Sequence, residues 1–504
     1  MTQAHASNHP YAELERRFAA LDALKGAQAV LGWDREVMMP AGGAAGRAEQ
    51  LAALGQVCHG RIADPELADL LDAAEQHTDH LDGWQAANLA HMRRIWRHET
   101  ALDARLVEAM SRAESRSIAA WSMARPAADF AAFLPAFEEV VALSREAAAA
   151  KGAALGKAPW DALLDAYEDS LTGEEIDALF DRLALALPPI RERAMAAQAA
   201  RPAPVVPQGP FPAERQKQLG EALMALAGFD FSHGRLDTSA HPFTGGVFGD
   251  VRITTRFDEA DFTSSVMAVM HETGHALYEL GRPAEWSAQP VGEAANMTMH
   301  ESQSLLVEMQ AARSPQFLAF AAPLIAGKLG GQGFAFSPAN LHALATRVAP
   351  GFIRVDADEL HYPFHIVLRT RLERALIAGD LAPADLPGAW NEGMAELVGV
   401  TPPDDRLGCL QDIHWPSGAF GYFPTYTLGA LAAAQLFAAA TAQDGDILPG
   451  LERGDFAPLL AWLRHNIHRH GARHSTQELL TAATGAPLST EPFEAHLARR
   501  YLDG

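Results

Sequence analysis

Cysteine is nearly absent from this chain: Cys58 and Cys409 are the only two among 504 residues. That scarcity excludes a secreted disulfide framework and a thiolate metal site, and it fits a reducing compartment. Positive charge is also short, with 40 Lys plus Arg against 63 Asp plus Glu and a formal net charge of −23. Such a balance argues against nucleic acid or an anionic membrane as partner, and any pocket for an anionic group must be locally basic. The run Met1-Thr2-Gln3-Ala4-His5-Ala6-Ser7-Asn8-His9-Pro10 has neither a basic start nor an apolar centre. No signal peptide is expected, and the expected location is the cytoplasm. Long apolar runs are missing too. The longest stretch without Asp, Glu, Lys or Arg, Ile413 to Gln443, is cut by Pro416 and Pro424 and leaves only Thr425 to Ala442 as a continuous helix. Its apolar residues are mostly small and Gly429 and Gln435 interrupt them, so a buried helix is expected rather than a membrane span.

What remains is globular. Hydrophobic residues make up 48% and charged residues 20%, enough for a sizeable core. No repeat of solenoid period is present. Residues 10 to 200 read as successive helices rich in Ala, Leu, Glu and Arg, with breaks near Gly42-Gly43, Asp64-Pro65, Leu171-Thr172-Gly173 and Pro188-Pro189. The run Pro202-Ala203-Pro204-Val205-Val206-Pro207-Gln208-Gly209-Pro210 reads as a linker. One domain spanning 1–504 is expected, with an N-terminal helical lobe over about 1–200, the linker over about 201–212 and a catalytic half over about 213–504. The one β signal is Gly245-Gly246-Val247-Phe248-Gly249 leading into Val251-Arg252-Ile253-Thr254-Thr255-Arg256, read as a short edge strand able to pair with an extended peptide or as an ordinary small sheet.

The chemistry concentrates just after it, at His271-Glu272-Thr273-Gly274-His275. On a helix, residues i and i+4 share a face, so both imidazoles can point at one zinc ion while Glu272 sits about 100° round the axis as a base beside a bound water. Phe262, Val266, Met267, Val269, Met270, Ala276, Leu277 and Leu280 recur at helical spacing, Asp258, Asp261 or Thr263 can cap the start, and Gly281 with Pro283 ends the run. Burying two imidazoles on such a helix is costly unless each finds a partner, which a shared metal supplies.

A catalytic zinc takes three protein ligands. Glu279 continues the i+4 series, but eight residues span roughly 12 Å of helix, too far for metal bonds of about 2 Å. The third ligand is therefore expected from a second helix, Asn296-Met297-Thr298-Met299-His300-Glu301-Ser302-Gln303-Ser304-Leu305-Leu306, which ends near Ser314-Pro315. Adjacent helical residues diverge by about 100°, so one of His300 and Glu301 faces the metal. Glu301 is the candidate and His300 the alternative; Glu279 becomes a carboxylate that orients a ligand imidazole.

Besides the zinc motif the chain carries His241-Pro242-Phe243, Asp250-Val251-Arg252-Ile253-Thr254, His300-Glu301-Ser302-Gln303, Ile353-Arg354-Val355-Asp356-Ala357-Asp358 and Gly408-Cys409-Leu410-Gln411-Asp412-Ile413-His414-Trp415. Trp33-Asp34-Arg35-Glu36, Met38-Met39-Pro40 and Gly42-Gly43 precede them. In these motifs and their order the chain resembles the thermostable metallocarboxypeptidase family typified by the Taq and Pyrococcus enzymes, peptidase family M32, over nearly its whole length. Where that family tends to have a basic residue and a tryptophan after the Gln-Ser pair, this chain has Leu305 and Val307.

The resemblance implies a mainly α protein: a large two-lobed helical body of the gluzincin kind, similar to neurolysin and angiotensin-converting enzyme, with a deep catalytic cleft and a small β-sheet next to the zinc helix. It implies a homodimer that removes residues from the C-terminus of short peptides with broad tolerance. One zinc ion per chain is expected, with Co2+ able to substitute. Glu272 is the expected base. Of the phenols in Gly421-Tyr422-Phe423-Pro424-Thr425-Tyr426, the resemblance favours Tyr422 as oxyanion donor. Arg354 is the candidate receptor for the terminal carboxylate, its alternative being an internal ion pair with Asp356 or Asp358. Gln411, His414 and His241 resemble residues lining the family's site and are expected to contact substrate, with Asp412 in a supporting role. Other readings are a zinc endopeptidase or dipeptidase on a similar fold, and a non-catalytic helical protein with a structural metal; against the latter stands Glu272, which a structural site does not require.

Overall fold

The computed structural model describes residues 10–502, so the amino-terminal residues read for a leader, 1–9, lie outside the described residues. Helices dominate, with a single three-stranded sheet among the described residues. The first helix, Pro10–Val37, shows how the pattern works. Tyr11, Leu14, Phe18 and Leu21 fall three or four residues apart and are buried. That stripe packs on Leu67, Leu71, Leu89 and Met92 from later helices. Asp64 caps the helix Pro65–Glu75 by accepting from the Glu66 amide, and Thr172 with Glu175 forms a capping box ahead of Gly173–Ala199.

One expected break is absent. Pro188 and Pro189 lie inside the helix Gly173–Ala199. A proline within a helix orphans the carbonyl four residues back. Here those carbonyls belong to Ala184 and Leu185, and Leu185 is 80% exposed, so water can serve on that side and the helix continues.

The chain divides into two compact units, each discontinuous. One takes Met1–Glu99, Pro204–Ala345 and Ala432–Leu488; the other takes Thr100–Ala203, Thr346–Leu431 and Ser489–Gly504. The division thus does not follow the expected sequential halves, although one crossing does fall in the proline-rich run. Long-range hydrogen bonds account for it. In the first unit Asn88 donates to Gln289 at 3.0 Å, and Gln289 donates to the Glu15 carbonyl at 2.9 Å. In the second, Gln198 and Val348 exchange two hydrogen bonds of 2.8 Å each.

The sheet lies in the first unit. Its strands are β1 (Gly234–Thr238), β2 (Phe243–Val247) and β3 (Asp250–Thr255), in the order β1-β3-β2. β1 runs parallel to β3, with Leu236 opposite Ile253, and β2 runs antiparallel to it, with Thr244 opposite Ile253. The alternating segment legible in the sequence is therefore the central strand and not an edge. Its alternation reflects one face, Val251 and Ile253, which packs with Leu236 against Val269 and Ala276 of the following helix.

That helix, Phe262–Gly281, carries His271 to His275 and is capped by Asp261, whose carboxylate accepts from the Thr263 amide. The neighbouring helix, Met297–Leu305, is capped by Asn296 and continues as a π-helical turn, Leu306–Ala312. The two cross backbone against backbone at Gly274, where a Cβ would overlap the Gln303 carbonyl and the Ser304 Cα. The uncharged stretch forms the helix Pro424–Gln443, and among the described residues no helix is long and apolar enough to cross a membrane.

Gly274→Ala should force these helices apart. We expect a loss of about 1–3 kcal/mol in stability, together with lost metal affinity. A thermal melt and metal analysis of the purified variant check this; a protein that melts and binds metal like wild type would refute the crossing as a constraint.

Candidate active site

The helix crossing brings three donor atoms together. Glu301 Oε2 lies 3.4 Å from His275 Nε2 and 3.8 Å from His271 Nε2, and ligand atoms of all three residues lie within 4.8 Å of one another. Tetrahedral ligands bonded at about 2.1 Å stand about 3.4 Å apart, so the donor set fits a divalent cation. Both imidazoles and the carboxylate are the ligand types zinc accepts.

The rear of each imidazole is also held. His271 Nδ1 lies 3.0 Å from Glu308 Oε2, and Glu308 in turn accepts from Arg313 at 2.6 Å. This bond makes His271 Nδ1 the donor, so that once the second proton is lost the Nε2 lone pair is free for a metal. His275 Nδ1 lies 2.6 Å from His300 Nδ1, and His300 Nε2 lies 2.8 Å from Glu279 Oε1. If His300 Nε2–H donates to the carboxylate, its Nδ1 accepts from His275, whose Nε2 again faces the metal position. His300 is thus the partner of the His275 imidazole, and Glu279 bears on that imidazole through His300 instead of touching it.

Glu308 does not stand out in the sequence as a site residue, although on a regular α-helix its seven-position spacing from Glu301 would put the two on one face; it lies in the π-helical stretch Leu306–Ala312. Thr244 escapes sequence reasoning as well. From β2 its hydroxyl donates to Glu272 Oε2 at 2.7 Å and to the Glu272 carbonyl at 3.0 Å, fixing that carboxylate. His241 stands exposed ahead of β2; its carbonyl accepts from Ser239, and its ring takes part in no described contact.

Electrostatically the centre calls for a cation. Burial alone would push His271 down, but Glu301 and Glu308 outweigh it and raise the imidazole to about 10. His275 is pushed below its usual value by burial and by the neighbouring His300. Burial opposes ionisation of Glu301 too, yet His271 and His275 hold it down at about 2. Without metal, a proton on His271 supplies the positive charge.

The remaining candidates belong to the second unit. Arg354 is buried, and its partner is Asp412, neither Asp356 nor Asp358. Nε and Nη2 donate to Asp412 Oδ1 at 3.1 and 3.0 Å, while Nη1 donates to the Tyr362 hydroxyl at 2.9 Å. The guanidinium carbon also sits 4.7 Å from the centre of the Tyr426 ring. Gln411, expected to contact substrate, is committed elsewhere. Its oxygen accepts from the Arg354 amide at 2.9 Å, and its nitrogen donates to the carbonyls of Phe352, Leu407 and Gly408. It braces Arg354, with no donor left for a ligand. His414 Nε2 lies 3.1 Å from the Tyr426 hydroxyl, and burial pushes the imidazole down to about 4, so it is neutral.

Tyr422 is part-buried, edge-on to Tyr167 with ring centres 4.9 Å apart and near His414 at 5.4 Å. It follows Gly421, whose φ of 87° and contact with Leu164 exclude a side chain. The Gly421 amide donates to Glu373 at 3.2 Å. Glu373, Tyr362 and Arg369 all lie on the buried helix Tyr362–Ala378. None stands out in the sequence, because no spacing rule links them to the motifs they support.

A His-Glu-x-x-His helix with a third carboxylate from the helix it crosses places the chain in a class, the metallopeptidases, and comparison with known proteins narrows it. Residues 13–501 match the model described as "Carboxypeptidase Taq (M32) metallopeptidase", and the chain belongs to that family. It is 38% identical to thermostable carboxypeptidase 1 of Thermus thermophilus, with 97% of each chain covered. It is 33% identical to carboxypeptidase 1 of Bacillus subtilis, with 94% of each covered. Among solved structures it is similar to metallocarboxypeptidase 1 of Trypanosoma cruzi, with a TM-score of 0.96 and 40% identity over 98% of this chain and 99% of that one. The M32 carboxypeptidase of Deinococcus radiodurans gives 0.92 and 35% over 98% and 99%. A Pyrococcus furiosus carboxypeptidase structure titled "Apo-Mg" gives 0.91 and 32% over the same shares. The chain is a metallocarboxypeptidase, mainly helical like these relatives.

Because Glu301 and Glu308 raise His271 to about 10 in the metal-free protein, binding of a divalent metal ion near pH 7 should release about one proton per site. Apparent affinity should rise about tenfold per pH unit between pH 7 and 9. A raised imidazole stabilises the metal-free fold fully below about pH 6.5 and progressively less as pH rises toward about 10. Calorimetric titration in buffers of different ionisation enthalpy counts the proton; no release would sink this reading.

Proposed function

We propose that the chain is a cytoplasmic zinc carboxypeptidase, acting as a homodimer, that removes residues one at a time from peptides with a free C-terminus and tolerates varied terminal side chains. The observation that carries the reading is the convergence of His271, His275 and Glu301, with Glu272 on the same helix turn and held by Thr244. A divalent cation bound there supplies Lewis-acid chemistry, polarising the scissile carbonyl and acidifying water.

This chain's residues do the rest. Glu272 takes a proton from the attacking water as the new C–O bond forms, and delivers it to the amine as the C–N bond breaks. Thr244 keeps the carboxylate of Glu272 in one orientation through both transfers. The Tyr422 phenol donates to the oxyanion that develops on the carbonyl. The Arg354 guanidinium, held flat by Asp412 and Tyr426, receives the substrate's terminal carboxylate, for which a planar fork of donors is suited.

Two measurements test this. Glu272→Gln should retain zinc at wild-type stoichiometry while kcat falls by about 10²–10⁴-fold; full turnover would eliminate the assigned base. Wild-type enzyme should shorten a peptide from its free C-terminus, read by mass spectrometry, and leave the C-terminally amidated peptide intact. Cleavage of both alike would reject carboxylate capture by Arg354 and favour an endopeptidase.

A further inference from the structure

Arg354 does not hold Asp412 alone. On the opposite side Arg369 donates from Nε to Asp412 Oδ2 at 2.7 Å, with Nη2 at 2.6 Å from the same oxygen. Asp412 therefore divides its two oxygens between two guanidiniums. Among the described residues it is the one carboxylate bonded to either. Two positive charges meet one negative charge, and the cluster keeps a surplus of one.

The surroundings do not cancel it. Arg369 is wholly buried, stacked at 4.5 Å on Trp390, and its Nη1 donates to the His365 carbonyl at 2.9 Å. The nearby imidazoles are neutral, His365 being pushed down to about 3 and His414 to about 4, by burial first and then by the two arginines. An uncompensated charge buried in protein is expensive and is retained where an ion of the opposite sign completes the set.

We propose that Arg369 is the positioning residue that leaves Arg354 electrostatically free: by engaging half of Asp412 it keeps one positive charge unspent for the carboxylate of the substrate. Arg369 never touches the peptide, since it is inaccessible to it. Without it, Asp412 would neutralise Arg354, and the receptor would keep its shape but lose its charge. This inference rests on Arg354 being the carboxylate receptor.

Charge compensation tests it. R369M should raise KM for a free C-terminal peptide, and Ki for 3-phenylpropanoate, at least tenfold, with kcat within about threefold. R369K, which preserves the charge, should stay within about threefold of wild type in both. The double variant R369M/D412N restores the surplus of one, because the side-chain amide that D412N introduces still offers Arg354 an acceptor oxygen; its Ki should recover at least threefold from that of R369M. A merely structural role predicts the reverse, a double variant worse than the single. Unchanged KM and Ki in R369M, or a double variant no better than R369M, overturns the proposal. If R369M does not fold, D412N decides: a Ki at or below wild type supports the count, and a tenfold higher one overturns it. Should wild-type enzyme cleave amidated and free peptides alike, the receptor reading itself has failed, which these variants cannot mimic.

Discussion

The imidazole of His275, the imidazole of His271 and the carboxylate of Glu301 can meet only because two helices touch through their backbones at Gly274. Any side chain there would separate the helix axes, and a displacement of about 1 Å is half a metal–ligand bond. The sheet enforces the contact from the other face. Leu236, Val251 and Ile253 pack on Val269 and Ala276, so the helix that carries the motif has neighbours on both sides. Apolar packing here serves geometry: each buried side chain contributes on the order of 2 kcal/mol to stability, and together they remove the freedom to retreat from the crossing.

The same confinement explains the electrostatics. Glu272, Glu301, Glu308 and Glu279 crowd around His271, His275 and His300, an arrangement that would repel itself without a positive charge in its midst. The second unit shows the opposite imbalance, two guanidiniums against one carboxylate. A chain with a net charge of −23 thus concentrates a demand for a cation in one place and for an anion in another. Composition could signal neither, because local pairing decides both.

How much can be read from the residues alone follows from this. The three converging donors are legible because helical periodicity is a local rule: four residues set His271 against His275, and divergence of adjacent positions separates Glu301 from His300. The cap of the first helix is legible for the same reason, Asp261 being one of three candidates beside Asp258 and Thr263. What escapes depends on partners distant in sequence. Nothing near Thr244 announces that its hydroxyl reaches Glu272 across 28 positions, and nothing near Gln411 reveals that it spends its whole amide on the backbone of Phe352, Arg354, Leu407 and Gly408. Strand β3 is recognisable, but its central place is not and it reads equally as an edge or as part of an ordinary small sheet, because β1 comes from Gly234–Thr238, a segment with only one buried position and hence almost no apolar signal. The two compact units escape for a related reason: each is assembled from three separated segments, whereas composition is read along the chain.

The helix Tyr362–Ala378 carries residues that a helix selected for stability alone would not. Tyr362, His365, Arg369 and Glu373 follow one another at three or four positions and so share a face; His365, Arg369 and Glu373 are buried and Tyr362 is half-buried. Burial pushes Glu373 up to about 8, even though the Trp415 indole and the Gly421 amide both donate to it. A carboxyl raised in this way is stabilised as the acid, so folding becomes less favourable as pH climbs from about 4.5 toward about 8, and at neutral pH the residue costs stability. Leucine there would avoid the cost but would release the Gly421 amide and with it the backbone that carries Tyr422. Tyr362 and Arg369 make the same trade toward Arg354 and Asp412. The polar side chains of Tyr362, Arg369 and Glu373 thus place groups outside the helix, namely Arg354, Asp412 and the Gly421 amide, and the helix acts as a template for them as well as a contributor to the core.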